Sequence, residues 1–211
     1  MKKILVKGLG MFVLIALTMC GCGEAKVPDK VDVTSIAITE DGAVTSYLVD
    51  EFDKEYYNIS DLTAMAIGEV ADYNTKNQTG EGIPIVVEKV EGMQDGSNKV
   101  MVIHKYDKTD TYMDYNGSIL FYGTVKEALD GGYLSVRGGF FNLVLKDVRD
   151  NTLLLKEQLL QEQDRFLVIT NEAARVYCPG KVSHVSEGAV YRDDGSVDCT
   201  GTEELSVILL K

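Results

Sequence analysis

From about residue 33 onward, short apolar runs alternate with polar residues at period two and are broken up by turn residues, and only one long stretch carries a helical stripe instead. That rhythm leaves few folds open. Period-two alternation buries one face of a strand, Asp-Gly turns tolerate the positive φ of a tight hairpin, and successive hairpins build antiparallel sheet. Residues 33–38 alternate, Glu40-Asp41-Gly42 supplies a turn, and 43–49 continue as the partner strand. Residues 83–90 and 99–106 form a second pair around a turn at 92–98, and 118–122 read as a further strand. Beyond them 140–148 alternates and turns at Arg149-Asp150-Asn151. Segments 166–170, 174–178, 181–185, 189–192 and 205–210 then read as short strands, with Asp193-Asp194-Gly195 as one of their turns.

The helical stripe is Leu62, Ala66, Val70 and Tyr73, widened by Met65 and Ile67. Ser60 is the expected N-cap, Asp61 complements the helix dipole, and Asn77-Gln78-Thr79-Gly80 ends the helix. Residues 110–115 form a short helix or turn. Thr124 and Glu127 have the spacing of a capping box, opening a short helix that stops at Gly131-Gly132. Residues 153–163 read either as a strand entering a helix or as helix throughout. Strands joined by hairpins, with segregated helices, predict an α+β fold: an antiparallel sheet with one main helix packed on it and a β-rich C-terminal part. The expected domain spans 33–211, with a subdivision near 131 as the alternative. A hydrophobic share of 45% and only three prolines suit one globular domain or two small ones.

The N-terminus reads differently. Lys2, Lys3 and Lys7 precede an apolar run from Leu9 to Met19, which is the anatomy of a secretory signal and too short for a good membrane span. The run ends in Leu17-Thr18-Met19-Cys20-Gly21-Cys22-Gly23, which resembles the lipobox of bacterial lipoproteins. The resemblance implies that residues 1–21 are removed and that Cys22 becomes a lipidated N-terminus carrying a diacylglyceryl group and a further acyl chain such as palmitate. Two or more chains hold a protein stably on a membrane. Residues 22–32 are then a tether, and the expected location is the outer, extracytoplasmic face of the cell membrane. The middle stretch, from Phe52-Asp53-Lys54-Glu55-Tyr56-Tyr57 through Phe121 to Leu129, together with Pro179-Gly180-Lys181-Val182 and Val185-Ser186, looks like uncharacterised lipoproteins of Gram-positive bacteria. That likeness supports the location and implies no activity.

Loss of Lys2, Lys3 and Lys7 moves the formal charge from −12 to −15. A chain this acidic disfavours nucleic acid and anionic lipid headgroups as direct partners. Its expected partners are the membrane, through the N-terminal lipid, and an envelope protein or small ligand of unknown identity. Outside the cell a disulfide is permitted, and Cys178 and Cys199 lie in strand-like segments that could neighbour one another. Whether they bridge stays open at this level, because the close Cα spacing a disulfide needs is not in the sequence.

Catalytic and metal-binding patterns are sparse. The two histidines, His104 and His184, stand in predicted strands. A Cys178–His184 nucleophile pair is conceivable, but no local signature surrounds it. No H-E-x-x-H, paired C-x-x-C, G-x-G-x-x-G or G-x-S-x-G occurs, so neither metal nor cofactor is expected. Asp107, Asp110 and Asp114, and Asp193, Asp194 and Asp198, gather acids without the spacing of a calcium loop and read as solvated acidic surface. The residues therefore point to a non-catalytic binding or interaction module. The alternative is a small extracytoplasmic hydrolase acting on wall or glycan material through two carboxylates, which need no fixed spacing along the chain. Eleven tyrosines keep a binding surface open, and the absence of tryptophan weighs against a sugar cleft.

Overall fold

The computed structural model describes residues 27–28, 30–78, 82–135, 142–202 and 205–211; Cys22 lies outside them, as do Phe140 and Phe141. The fold is α+β and mostly sheet, as the hairpin pattern predicts. Its strands divide between two sheets. The first contains β1 (Ser35–Ile38), β2 (Val44–Glu51), β3 (Ile85–Gly92), β4 (Lys99–Tyr106), β9 (Arg175–Tyr177), β11 (Val190–Tyr191) and β12 (Val197–Asp198), in the order β11-β12-β9-β1-β2-β4-β3. The second contains β5 (Leu120–Thr124), β6 (Val144–Asp147), β7 (Leu153–Leu155), β8 (Phe166–Thr170), β10 (Val182–Ser186) and β13 (Ser206–Leu210), in the order β5-β8-β13-β10-β6-β7. One pairing departs from the hairpin logic: β1 and β9 are parallel, with Ile36 opposite Val176.

The local signals account for the local pieces. Gly42 takes φ +85° at the β1–β2 turn, where a side chain would be strained, and Ile38 pairs with Val44 across it. Thr124 and Glu127 form the expected capping box at the head of α3 (Val125–Asp130), with Glu127 Oε2 accepting from the Thr124 amide at 2.8 Å. Residues 153–159 resolve as a strand entering one helical turn, β7 followed by α4 (Lys156–Leu159).

The long helix is α1 (Ile59–Asn77), and its start corrects the expectation. Asn58 rather than Ser60 is the N-cap, and its Oδ1 accepts from the Ser60 amide at 2.8 Å. An Asn side chain caps a helix as well as a Ser does, and Asn58 stands two residues earlier. The stripe is also narrower than expected. Ala66 and Val70 are buried, whereas Met65 and Ile67 are 55% and 53% exposed. Each residue turns the helix by about 100°, so Met65 and Ile67 sit about a quarter to a third of a turn to either side of the buried pair.

The central strands of the second sheet, β8, β13 and β10, are buried on both faces, whereas β7 at its edge leaves Leu153 and Leu155 exposed. Ile208 and Leu210 of β13 face a core shared with Ile36, Ile38, Val44 and Tyr106 of the first sheet, whereas Val207 and Leu209 face a second cluster with Val125, Ala128, Leu145 and Leu159. β8 divides in the same way, with Val168 on one side and Leu167 and Ile169 on the other. This explains why 166–170 and 205–210 are nearly continuous apolar runs: a strand covered on both faces has no solvent side to make polar. Each fully buried Leu or Ile contributes about 1.5–3 kcal/mol relative to exposure.

The first sheet is covered incompletely. The face that supplies Ile36, Ile38 and Val44 to the core continues along β2 to Ser46, Leu48 and Asp50, because alternate residues of a strand share a face. Helix α1 lies chiefly along β3. Leu48 at the far end of β2 is left 48% exposed.

A candidate binding cleft

That uncovered end of the sheet is the floor of a cleft of about 380 Å³. Leu48 and Asp50 of β2 stand opposite Val102 and Val100 of β4, and all four line it. Leu62, Met65 and Asp61, from the N-terminal turns of α1, form one wall. The other wall is the connection between β2 and α1, which contributes Phe52, Tyr56, Tyr57 and Asn58. The connection is held at three points. The Phe52 amide donates to the Asn98 carbonyl at 2.6 Å, the Tyr57 amide donates to the Lys54 carbonyl at 3.0 Å, and Asn58 caps the helix.

Between those points the three rings associate with one another. Phe52 stacks on Tyr57 at a centroid distance of 4.8 Å, and Tyr56 meets Tyr57 edge-on at 5.0 Å. Aromatic pairs at such spacings add about 0.5–1.5 kcal/mol beyond the area they bury, so the wall is preformed. It is also open to solvent: Tyr56 is 79% exposed and Tyr57 43%. Other tyrosines serve the interior. Tyr106, Tyr112 and Tyr177 are buried, and Tyr106 and Tyr112 pack edge-on at 5.0 Å. Burial drives the Tyr106 hydroxyl up to about 12, which keeps it neutral.

Carboxylates rim the cleft. Asp50, Glu51 and Asp61 line it, and Asp53 beside them is paired with Lys54 at 3.1 Å. Lys99 stands across from Glu51 in the β2–β4 register. Among the described residues no ion pair engages Asp50 or Asp61. The result is an exposed apolar and aromatic concavity with an acidic rim.

Comparison with known proteins adds nothing to this geometry. No family model, no curated protein and no solved structure matches the chain.

The residues singled out in the sequence stand elsewhere. Asp107, Asp110 and Asp114 do converge, lining a smaller cleft of about 280 Å³ with Tyr73 and Pro84 beside α2 (Thr109–Asn116). Their oxygens are partly occupied: the Tyr73 hydroxyl donates to Asp114 at 2.8 Å, and Thr111 donates to Asp107. Asp194 and Asp198 hold turns, accepting from the Ser196 and Thr200 amides at 3.0 and 3.1 Å. Asp198 also pairs with Arg192. Among the described residues no cluster of three acid, His or Cys ligands could hold a metal ion, and no helix is long and apolar enough to cross a membrane.

Cys178 and Cys199 are free thiols that pack in the same core. The β9–β12 register sets the Cys199 amide on the Ala174 carbonyl at 3.0 Å, four residues along from Cys178. Burial pushes the Cys178 thiol well up, which disfavours the thiolate that a nucleophile pair requires. His184 turns to other partners. Its Nδ1 is 3.0 Å from Ser183 Oγ and its Nε2 4.0 Å from Asp147 Oδ2. A Ser, a His and an Asp are thus neighbours, but in the wrong state for acyl transfer. Ser183 is buried, its hydroxyl donates to the Leu209 carbonyl at 2.9 Å, and it also accepts from Arg165. Asp147 is bound instead to the Arg149 guanidinium, whose hydrogen bonds hold its carboxyl far below the usual carboxylate range. The group ties β10 to β13 and β6.

Sequence reasoning passed over the cleft because its rings follow no period. One signal was present in 52–57: three aromatics inside a charged, non-periodic connection have no strand or helix face to serve.

Proposed function

We propose that the chain is a non-catalytic binding module of the cell envelope, tethered by lipid at Cys22 to the outer face of the membrane, with the Phe52–Tyr56–Tyr57 cleft as its ligand site. The observation that carries this reading is the preformed and exposed ring wall. Exposing Tyr56 at the mouth of an apolar cleft leaves ring surface in water, a cost that a ligand would recover on binding. The lipobox-like Leu17 to Gly23 segment supports the tether, and the likeness to uncharacterised Gram-positive lipoproteins agrees with it. The carboxylate hydrolase reading would place its chemistry at Asp107, Asp110 and Asp114, two of whose carboxylates already serve Tyr73 and Thr111.

One experiment addresses tether and site together. Cells carrying the wild-type chain or Cys22→Ser are fractionated, and the exposed tyrosines are nitrated with and without envelope material. Wild type should partition to the membrane and Cys22→Ser should be released. Tyr56 and Tyr57 should be protected by envelope material relative to Tyr191, an exposed tyrosine on β11. Equal nitration of all three with and without that material would refute the site. Unchanged membrane attachment of Cys22→Ser would refute the tether.

A further inference from the structure

The chemistry of the cleft narrows what it can hold. We infer that its ligand is a cationic amphipathic peptide segment of another protein, with lysine or arginine beside two or three apolar side chains. This rests on the cleft being the binding site.

Three features converge on that class. The first is the pairing of ring faces with carboxylates. The faces of Phe52, Tyr56 and Tyr57 carry the negative side of an aromatic quadrupole, and Asp50 and Asp61 flank them without a cation of the chain's own in an ion pair among the described residues. A lysine ammonium or arginine guanidinium lodged there would meet both attractions. Lys54 is paired with Asp53 and not with Asp50 or Asp61.

The second is the apolar lining. Leu48 shares the floor with the buried Val100 and Val102, and Leu62 and Met65 stand on the α1 wall. At about 380 Å³ the space exceeds what one ammonium group fills, so a ligand that satisfies only the charge leaves the floor wet. Met65 adds an unbranched, polarisable side chain that adjusts to varied apolar partners, a property of surfaces that read peptide side chains.

The third is the sign of the whole chain. With 33 acids against 21 Lys and Arg, the long-range field draws cations in and repels anionic lipid surfaces and nucleic acid. A basic peptide is the ligand class that brings both an apolar face and positive charge against that field. Ring wall, apolar floor and acidic rim would engage different atoms of one segment.

The test uses the full chain anchored in phosphatidylcholine vesicles, which carry no net charge. Three synthetic peptides of one amphipathic pattern are compared: leucine with lysine, leucine with glutamine, and leucine with glutamate. Binding is read as protection of Tyr56 and Tyr57 from nitration, referred to Tyr191. The lysine peptide should protect both rings, the glutamine peptide more weakly, and the glutamate peptide not at all. Raising salt should weaken the lysine peptide, since the rim is exposed. Asp50→Asn with Asp61→Asn should lower its affinity about tenfold while leaving the circular dichroism spectrum unchanged. Equal protection by the glutamine or glutamate peptide overturns the inference, as does a double variant that binds as wild type does. If envelope material protects the rings and the lysine peptide does not, the ligand class is wrong and the site stands. If neither protects them, the site falls as well.

Discussion

Two-sided burial of β13 is a quantitative claim that two adjacent residues can test. Ile208 and Leu209 point to opposite faces of the second sheet, both have zero solvent exposure, and they belong to separate clusters. Replacing either by alanine deletes three carbons, at about 0.8 kcal/mol per buried methylene, so the transfer part alone is about 2.4 kcal/mol. Incomplete collapse of the cavity adds to this and brings each substitution to about 2–5 kcal/mol. The two side chains belong to separate clusters, so the double variant should cost more than either single one. Leu48→Ala, at 48% exposure on the open floor, should forfeit about half the transfer part, or about 1.2 kcal/mol. Urea unfolding followed by circular dichroism gives all three values from the midpoints at constant slope. If total stability is near the lower end of the usual 5–15 kcal/mol, Ile208→Val at about 0.5–1.5 kcal/mol keeps the measurement on scale. A sheet covered on one face alone would make the costs alternate. Finding that either Ile208→Ala or Leu209→Ala costs less than about 1 kcal/mol would refute the two-cluster architecture.

Three further outcomes are expected. Burial lowers the pKa of His104, whose Nε2 is buried without a hydrogen-bond partner among the described residues, and burial likewise lowers that of His184. The unfolded chain then binds protons first, so stability should be complete above about pH 7 and decline as pH falls below about 6.5. His104→Asn should flatten that decline, and a urea midpoint that stays level from pH 7.5 to about 5.5 would contradict the assignment. Asp198 acts in a separate window: Thr200 and Arg192 lower its pKa to about 2, so its contribution disappears only as pH falls from 3.8 toward that value. Gly188→Ala should be destabilising by about 1–3 kcal/mol, because Gly188 has φ +84° and an added Cβ would come within 2.8 Å of Thr202 Cγ2. A thermal midpoint unchanged in that variant would show that the 188–202 contact relaxes freely.

Much of the secondary structure was legible because its causes are local. The β1–β2 hairpin follows from alternation and Gly42, α3 from the Thr124–Glu127 capping box, and the body of α1 from its stripe. Local signals do not decide where two local solutions are equivalent. Asn58 and Ser60 are both good caps, and which one starts the helix depends on where residues 52–57 deliver the chain. Val197 and Asp198 carry no period, being only two residues, and β12 exists through its ladder with β9 and β11.

What the sequence by itself determined is the class: α+β, with antiparallel hairpins, one long helix and an acidic surface. Those are consequences of period, turn chemistry and composition, each contained within a few neighbouring residues. Only the tertiary structure decided how the strands divide between two sheets, that Ile36 lies parallel to Val176 far along the chain, and that the same face of β2 is core at Val44 and cleft at Leu48. The physical reason is that burial belongs to what lies across from a residue. Alternation says that Val44, Ser46, Leu48 and Asp50 share a face; whether that face meets a second sheet or solvent depends on partners brought in by long-range pairing. The rings of 52–57 line a cleft only because α1 leaves that end of the sheet uncovered.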